Sequence, residues 1–185
     1  MTKPRSGARH LEIRMLVALA LLLAAPLLSQ RGVSDGEWPH YSGDRGSTKY
    51  SALDQIDRDN FARLEVVWRW RSADYRVAEG AGRVEPGHFR GTPLMLDGMV
   101  FVPTGLSQVA ALDPATGEEL WVYDPRSYLH GMPVHSLVQI RGIESWTDEH
   151  SGQRRIVVAT GGRQLVSLDT RTGKPDPDFG DGGKV

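Results

Sequence analysis

Short apolar runs broken by Gly, Pro, Asp and Asn make up most of this chain, and long stretches with helical periodicity are scarce. Residues 64–70 (LEVVWRW) predict a strand. Residues 92–96 (TPLML) and 99–102 (MVFV) flank Asp97-Gly98, a pair that readily takes the positive φ angles of a type I′ turn; together they predict a hairpin. Residues 108–112 (QVAAL) and 119–123 (ELWVY) predict two further strands. Residues 57–63 predict one short helical turn, and residues 72–88, which show no clear period, predict a loop.

The strongest internal signal is a repeat. VFVPTGLSQVAALDPATG (residues 100–117) aligns without a gap on IVVATGGRQLVSLDTRTG (residues 156–173), at an offset of 56. Val102, Thr104, Gly105, Gln108, Leu112, Asp113, Thr116 and Gly117 all recur. Each copy reads strand, tight turn, strand, then Asp-x-x-Thr-Gly. Strands this short cannot bury both faces alone, so repeated antiparallel units must stack. A period of this length predicts an all-β fold of β-propeller blades, each a four-stranded antiparallel sheet.

One apolar run departs from this pattern. Residues 15–28 (MLVALALLLAAPLL) follow Arg5, Arg9 and Arg14. Crossing a bilayer takes about 20 apolar residues, and this run has 14. A basic flank before an apolar stretch of this length reads as a secretory signal peptide. A short uncleaved membrane anchor is the open alternative, because no strict A-x-A cleavage site is present. A buried core helix is disfavoured by the polar sequence that follows at once. The expected organisation is a signal or anchor over residues 1–33 and a partial propeller over residues 34–185, exported to the periplasm.

Composition narrows the partners. A net charge of −1 gives no electrostatic reason to expect nucleic acid. The absence of cysteine excludes disulfides, thiolate metal sites and a lipidated N-terminal cysteine.

The first repeat copy continues to a tryptophan, Ala111-Leu-Asp113-Pro-Ala-Thr116-Gly117-Glu-Glu-Leu-Trp121. Asp113 and Thr116 suit hydrogen bonds to the turn backbone, and Gly117 suits a positive φ. Trp121 then falls on the next strand, where its indole can pack on a neighbouring blade and donate its N–H. In the second copy Pro177 replaces the tryptophan. The motif resembles the tryptophan-docking motif, A-x-D-x-x-T-G-x-x-x-W, of dehydrogenases that use pyrroloquinoline quinone (PQQ), the quinoprotein alcohol and glucose dehydrogenases. Further segments resemble that family in order: Trp38-Pro-His-Tyr-Ser-Gly-Asp44, Thr48-Lys-Tyr-Ser51, Leu53-Asp-Gln-Ile56, Leu64-x-x-x-Trp68, Gly91–Gly98, Arg141-Gly-Ile-Glu-Ser-Trp146 and Asp178–Gly183.

The resemblance implies a cofactor and a site. PQQ is a flat quinone with three carboxylates, so it needs planar cations and, at its reactive carbon, a hard cation such as Ca²⁺. In the family the arginine of R-G-V-A-Y-W contacts the quinone, and Arg141 matches it. His135, six residues earlier, falls where relatives carry a ring-covering vicinal disulfide or histidine; the alternative is a structural or exposed histidine. His130 is a weaker candidate for the same task. Several relatives place a glutamate just before the G/T-x-P-L strand. This chain has Arg90 there, which makes Arg90 a candidate for a PQQ carboxylate and a departure from the family. Thr147–Gly152 reads as a hairpin tip and Asp176-x-Asp178-x-x-Asp181 as a turn rather than a calcium loop. There is no P-loop, dinucleotide fingerprint or nucleophile elbow.

In the family the catalytic aspartate and the calcium ligands lie further downstream. About two blades are recognisable here, whereas a closed propeller takes roughly four or more. The expectation is therefore the N-terminal part of a PQQ-dependent dehydrogenase that oxidises a sugar or alcohol and passes electrons to a cytochrome or membrane quinone. The rival, from another class, is a non-catalytic propeller scaffold.

Overall fold

The structure is a computed structural model that describes residues 32–33, 36–81, 89–130, 141–149 and 151–185. Two antiparallel sheets dominate it. The first takes strands β1 (Leu94–Leu96), β2 (Met99–Pro103), β3 (Val109–Leu112) and β4 (Glu119–Tyr123) in simple sequence order. The second takes β5 (Glu144–Thr147), β6 (Arg154–Ala159) and β7 (Leu165–Asp169), again in order. This up-and-down order is that of propeller blades. The β1–β2 hairpin closes through Asp97 and Gly98, whose φ angles of 51° and 73° are those of the predicted turn. The β5–β6 hairpin closes at Asp148 and Gln153, as the predicted tip requires.

The repeat extends to the way the sheets stack. Val102, Ala110 and Leu112 of blade 1, with Val100 and Val122 beside them, turn toward Trp68 and Trp70 of the preceding segment. The opposite face of blade 1 carries Phe101, Val109, Ala111 and Tyr123 and packs on blade 2. Blade 2 meets it with Ile156, Val158, Val166 and Leu168, which stand 56 positions after Val100, Val102, Ala110 and Leu112. Each blade thus presents the same surface to whatever precedes it. Period-two alternation makes this possible, since each strand offers one side chain set to either face.

Two expectations change. Residues 64–70 form no strand among the described residues; they run beside blade 1 without a hydrogen-bonded ladder, held by their tryptophans. Their alternation reports which side chains face the blade, and that pattern does not require a strand partner. Residues 72–88 contain a helix, α1 (Asp74–Ala81), where a loop was expected. Local links hold it: the Asp74 N–H donates to Ser72 Oγ at 3.3 Å, and Arg71 pairs with Glu79. The predicted helical turn near residue 60 is a 3-10 turn, Phe61–Arg63.

Among the described residues the second sheet has three strands, and Pro177 stands at the position of the docking tryptophan. Residues 174–185 fold back along β7 instead, through isolated bridges from Pro175 to Leu168 and from Lys184 to Val166. A buried ion pair secures them: the Arg155 guanidinium donates to Asp176 at 2.8 Å and to Asp169 at 2.9 Å. The Asp178 triplet forms a turn, with the Phe179 N–H bonded to the Asp176 carbonyl. At the free edge of β1, Trp38 pairs antiparallel with Met95, and its segment staples both blades: Glu37 binds Arg154 and the Asp97 N–H. Val33 is buried and its N–H bonds the Tyr50 carbonyl. Among the described residues no helix is long and apolar enough to cross a membrane. The apolar run at residues 15–28 lies outside them.

Candidate functional site

Strand direction decides which loops meet. β1 begins, β2 ends and β4 ends at one edge of blade 1, because Leu94 pairs with Phe101 and Val109 with Tyr123. The start of β5 and the β6–β7 loop lie at the same end of blade 2. The Asp-x-x-Thr-Gly turns lie at the other end. There the Asp113 carboxylate accepts N–H bonds from Thr116 and Ala115 and the Thr116 hydroxyl, which hold its pKa below the usual range.

Arg90 and Arg141 both fall at the first end. The Thr92 N–H donates to the Arg141 carbonyl at 2.9 Å, so the two segments are joined through their backbones. Gly91 sits so tightly on Pro103 that a Cβ would overlap the Pro103 carbonyl, which seats the backbone beside Arg90. Gly142 has the ring of Tyr41 against it; a Cβ there would lie 2.5 Å from the ring. Both arginines are exposed, and neither guanidinium has a hydrogen bond or ion pair among the described residues. Arg163, at the tip of the β6–β7 loop, adds a third exposed cation to this end. The acids at this end are engaged: Glu144 pairs with His40, Asp124 accepts the Tyr128 hydroxyl, and Asp74 is buried, where burial raises its pKa, opposed by hydrogen bonds from the Thr104 hydroxyl and the Leu106 N–H.

The structure therefore joins the segments that carry Arg90, a departure from the family, and Arg141, the residue that the resemblance places at the quinone. His135 lies outside the described residues, and so does the side chain of His130. Tyr41 was missed as a neighbour of Arg141, although its place in the Trp38-Pro-His-Tyr segment was a signal. Exposed, planar cations at one end of adjoining sheets suit a flat polycarboxylate, because each can engage a carboxylate through two N–H bonds. These residues fit PQQ. Among the described residues no group of three or more His, Asp or Glu side chains is placed to hold a metal ion.

The docking tryptophans define the class. The Trp68 indole lies against Gly117 and donates to the Pro114 carbonyl at 3.0 Å; the Trp121 indole lies against Gly173 and donates to the Thr170 carbonyl at 3.0 Å. A blade and its preceding segment latched to the next blade by tryptophans in this way, with arginines just ahead of β1 and β5, are those of a quinoprotein-type propeller. Residues 38–185 match the PQQ family described as the glucose/ethanol/alcohol dehydrogenase β-propeller domain, and the chain belongs to that family.

Individual relatives agree. The chain is 28% identical over 170 residues to quinoprotein glucose dehydrogenase A of Acinetobacter calcoaceticus, covering 83% of this chain and 21% of that protein. It is 32% identical over 176 residues to the 1-butanol dehydrogenase (cytochrome c) of Thauera butanivorans, covering 94% and 23%. The crystal structure of quinohemoprotein alcohol dehydrogenase from Comamonas testosteroni superposes with a TM-score of 0.56 at 26% identity, covering 79% of this chain and 21% of that one. A europium-containing methanol dehydrogenase superposes with a TM-score of 0.55 at 25% identity, covering 75% and 22%. The chain thus spans about a fifth of the length of the relatives it matches.

Proposed function

We propose that these residues form the first blades of a PQQ-dependent dehydrogenase that oxidises an alcohol or a sugar. The observation that carries this reading is the pair Arg90 and Arg141, whose guanidinium groups have no partner among the described residues and whose segments are joined at the starts of adjacent blades. When bound, PQQ supplies a quinone that accepts the two electrons taken from the substrate. The role of this chain is to bind and orient: Arg141 and Arg90 neutralise carboxylates at one wall of the site, and Tyr41 and Gly142 fix the backbone beside Arg141. The catalytic aspartate and the ligands of a hard cation, calcium by family resemblance, come from other parts of the propeller. The europium named for one relative supports a metal beside the quinone. The cytochrome c named for another supports a cytochrome as electron acceptor, with a membrane quinone as the alternative. Residues 15–28 direct export to the periplasm, as a cleaved signal or a retained anchor.

Titrating PQQ into the full-length dehydrogenase, followed by tryptophan quenching, tests the reading. Charge-assisted hydrogen bonds contribute roughly 1.5–3 kcal/mol each, so Arg141→Ala weakens binding by about tenfold or more. Arg141→Lys recovers part of the loss, because an ammonium cannot make the two-pronged contact. Arg141→Ala with wild-type affinity removes this arginine from the site.

A further inference from the structure

At the arginine end a second set of contacts repeats with the blades, in residues that sequence identity does not link. Asp74 follows Trp68 by six positions, and Ser127 follows Trp121 by six. The Leu106 N–H donates to Asp74 Oδ2 at 3.2 Å, and the Gly162 N–H donates to Ser127 Oγ at 3.1 Å. Leu106 and Gly162 are equivalent, 56 positions apart, as are the Pro114 and Thr170 carbonyls that receive the two indoles. The two loops are also joined to each other, through Gly161 N–H to Ser107 Oγ at 3.0 Å.

We infer that Asp74 and Ser127 are one position of the blade repeat, a positioning residue that pins the Thr-Gly loop of the following blade. Each blade is then latched at both ends. The tryptophan holds the Asp-x-x-Thr-Gly turn, and the residue six positions later holds the loop at the arginine end. A blade fixed at one end alone can still splay at the other, and the second pin prevents that where geometry matters most for the site. For blade 1 the path is short: Asp74 holds the Thr104 hydroxyl at 2.6 Å, Thr104 adjoins Pro103, and Pro103 seats Gly91 next to Arg90.

The two pins differ in strength. The Asp74 carboxylate has two oxygens and receives both the Leu106 N–H and the Thr104 hydroxyl. Ser127 has one oxygen, given to Gly162, and the equivalent hydroxyl, Thr160 Oγ1, is buried without a partner among the described residues. Both oxygens flank Gly162, each 3.5 Å from where its Cβ would stand. Equivalent threonines therefore sit in unequal environments: Thr104 Oγ1 donates to the carboxylate pin and accepts the Gln108 N–H of its own loop, whereas Ser127 leaves Thr160 Oγ1 without such an acceptor.

This inference does not depend on the catalytic reading, and its test uses no cofactor. Thr104→Val and Thr160→Val are compared in the purified protein. Thr104→Val strips a buried carboxylate of one of its donors and the Gln108 N–H of its acceptor, and lowers Tm by at least about 3 °C. Thr160→Val removes an unsatisfied hydroxyl and leaves Tm unchanged or raises it. Hydrogen exchange adds a local readout: Ser127→Ala accelerates exchange in residues 160–164 by about tenfold, Ser127→Thr restores protection, and the β3–β4 peptides are unaffected. Equal effects of the two valine substitutions, or unchanged exchange at residues 160–164 in Ser127→Ala, overturn the inference. The Thr160 and Ser127 variants keep the test open if Thr104→Val does not fold.

Discussion

Replacing Trp121 with alanine unlatches blade 1 from blade 2, and the structure sets the size of the effect. The indole is half-buried, lies against Gly173, meets Phe101 at a centroid distance of 5.8 Å, and donates to the Thr170 carbonyl. Truncating a fully buried tryptophan typically costs about 3–5 kcal/mol. Partial exposure brings the packing loss to about 2–3 kcal/mol, and the hydrogen bond adds about 1 kcal/mol. The expected total of about 3–4 kcal/mol corresponds to a fall in Tm of roughly 6–16 °C for a protein of this size. Trp121→Phe keeps a ring on the glycine and loses only the N–H and some area, for about 1–2 kcal/mol. Gly173→Ala attacks the same contact from the other side. Its φ of 67° is unfavourable for alanine, and its Cβ would stand 2.5 Å from the indole. In a Trp121→Ala background the collision is gone while the backbone strain remains, so the two changes couple by about 1 kcal/mol or more. Urea unfolding followed by circular dichroism measures the wild type and all four variants without relying on the fluorescence of the residue removed. Trp121→Ala within about 0.5 kcal/mol of wild type, or additive energies for the pair, would refute the docking argument.

Asp176→Ala leaves the buried Arg155 with Asp169 as its remaining partner and costs about 3 kcal/mol in urea unfolding. A loss below about 1 kcal/mol, as for an exposed pair, counts against the role given to residues 174–185. Burial raises the Asp74 pKa, so folding favours its protonated form. Its contribution is most favourable below the ordinary carboxylate pKa and declines as pH rises through the raised value. Wild-type stability relative to Asp74→Asn should therefore fall with pH over that window and then flatten; a difference that grows with pH contradicts the burial argument. Fusing residues 1–40 to a reporter that works only outside the cytoplasm should give an active reporter, and a well-expressed but silent fusion rejects export.

Local chemistry made much of the fold legible. Asp97-Gly98 specifies its turn through backbone sterics alone, and β4 follows the apolar run at residues 119–123 because alternation directly encodes two faces. The 56-residue repeat announced stacked blades, and the docking of Trp121 followed from its motif. Arg90 and Arg141 were each visible as motif positions. What joins them, one N–H of Thr92 on the carbonyl of Arg141, was not visible, because a backbone bond across 49 positions leaves no mark on residue type.

The same limit explains what only the tertiary structure decided. Residues 64–70 alternate like a strand, but a strand is defined by the neighbour that shares its hydrogen bonds, and here the alternation serves two tryptophans on a blade face. Helix α1 lacks a clean apolar stripe, and its first residue is an aspartate whose value lies in the loop it reaches thirty positions away. Asp74 and Ser127 differ in charge, size and sequence context, yet they perform one task because each is carried to the equivalent N–H by the docked tryptophan six positions before it. Side-chain periodicity and turn preference are properties of neighbours along the chain. Pairing, docking and burial are properties of neighbours in space, and stacking the blades is what creates them.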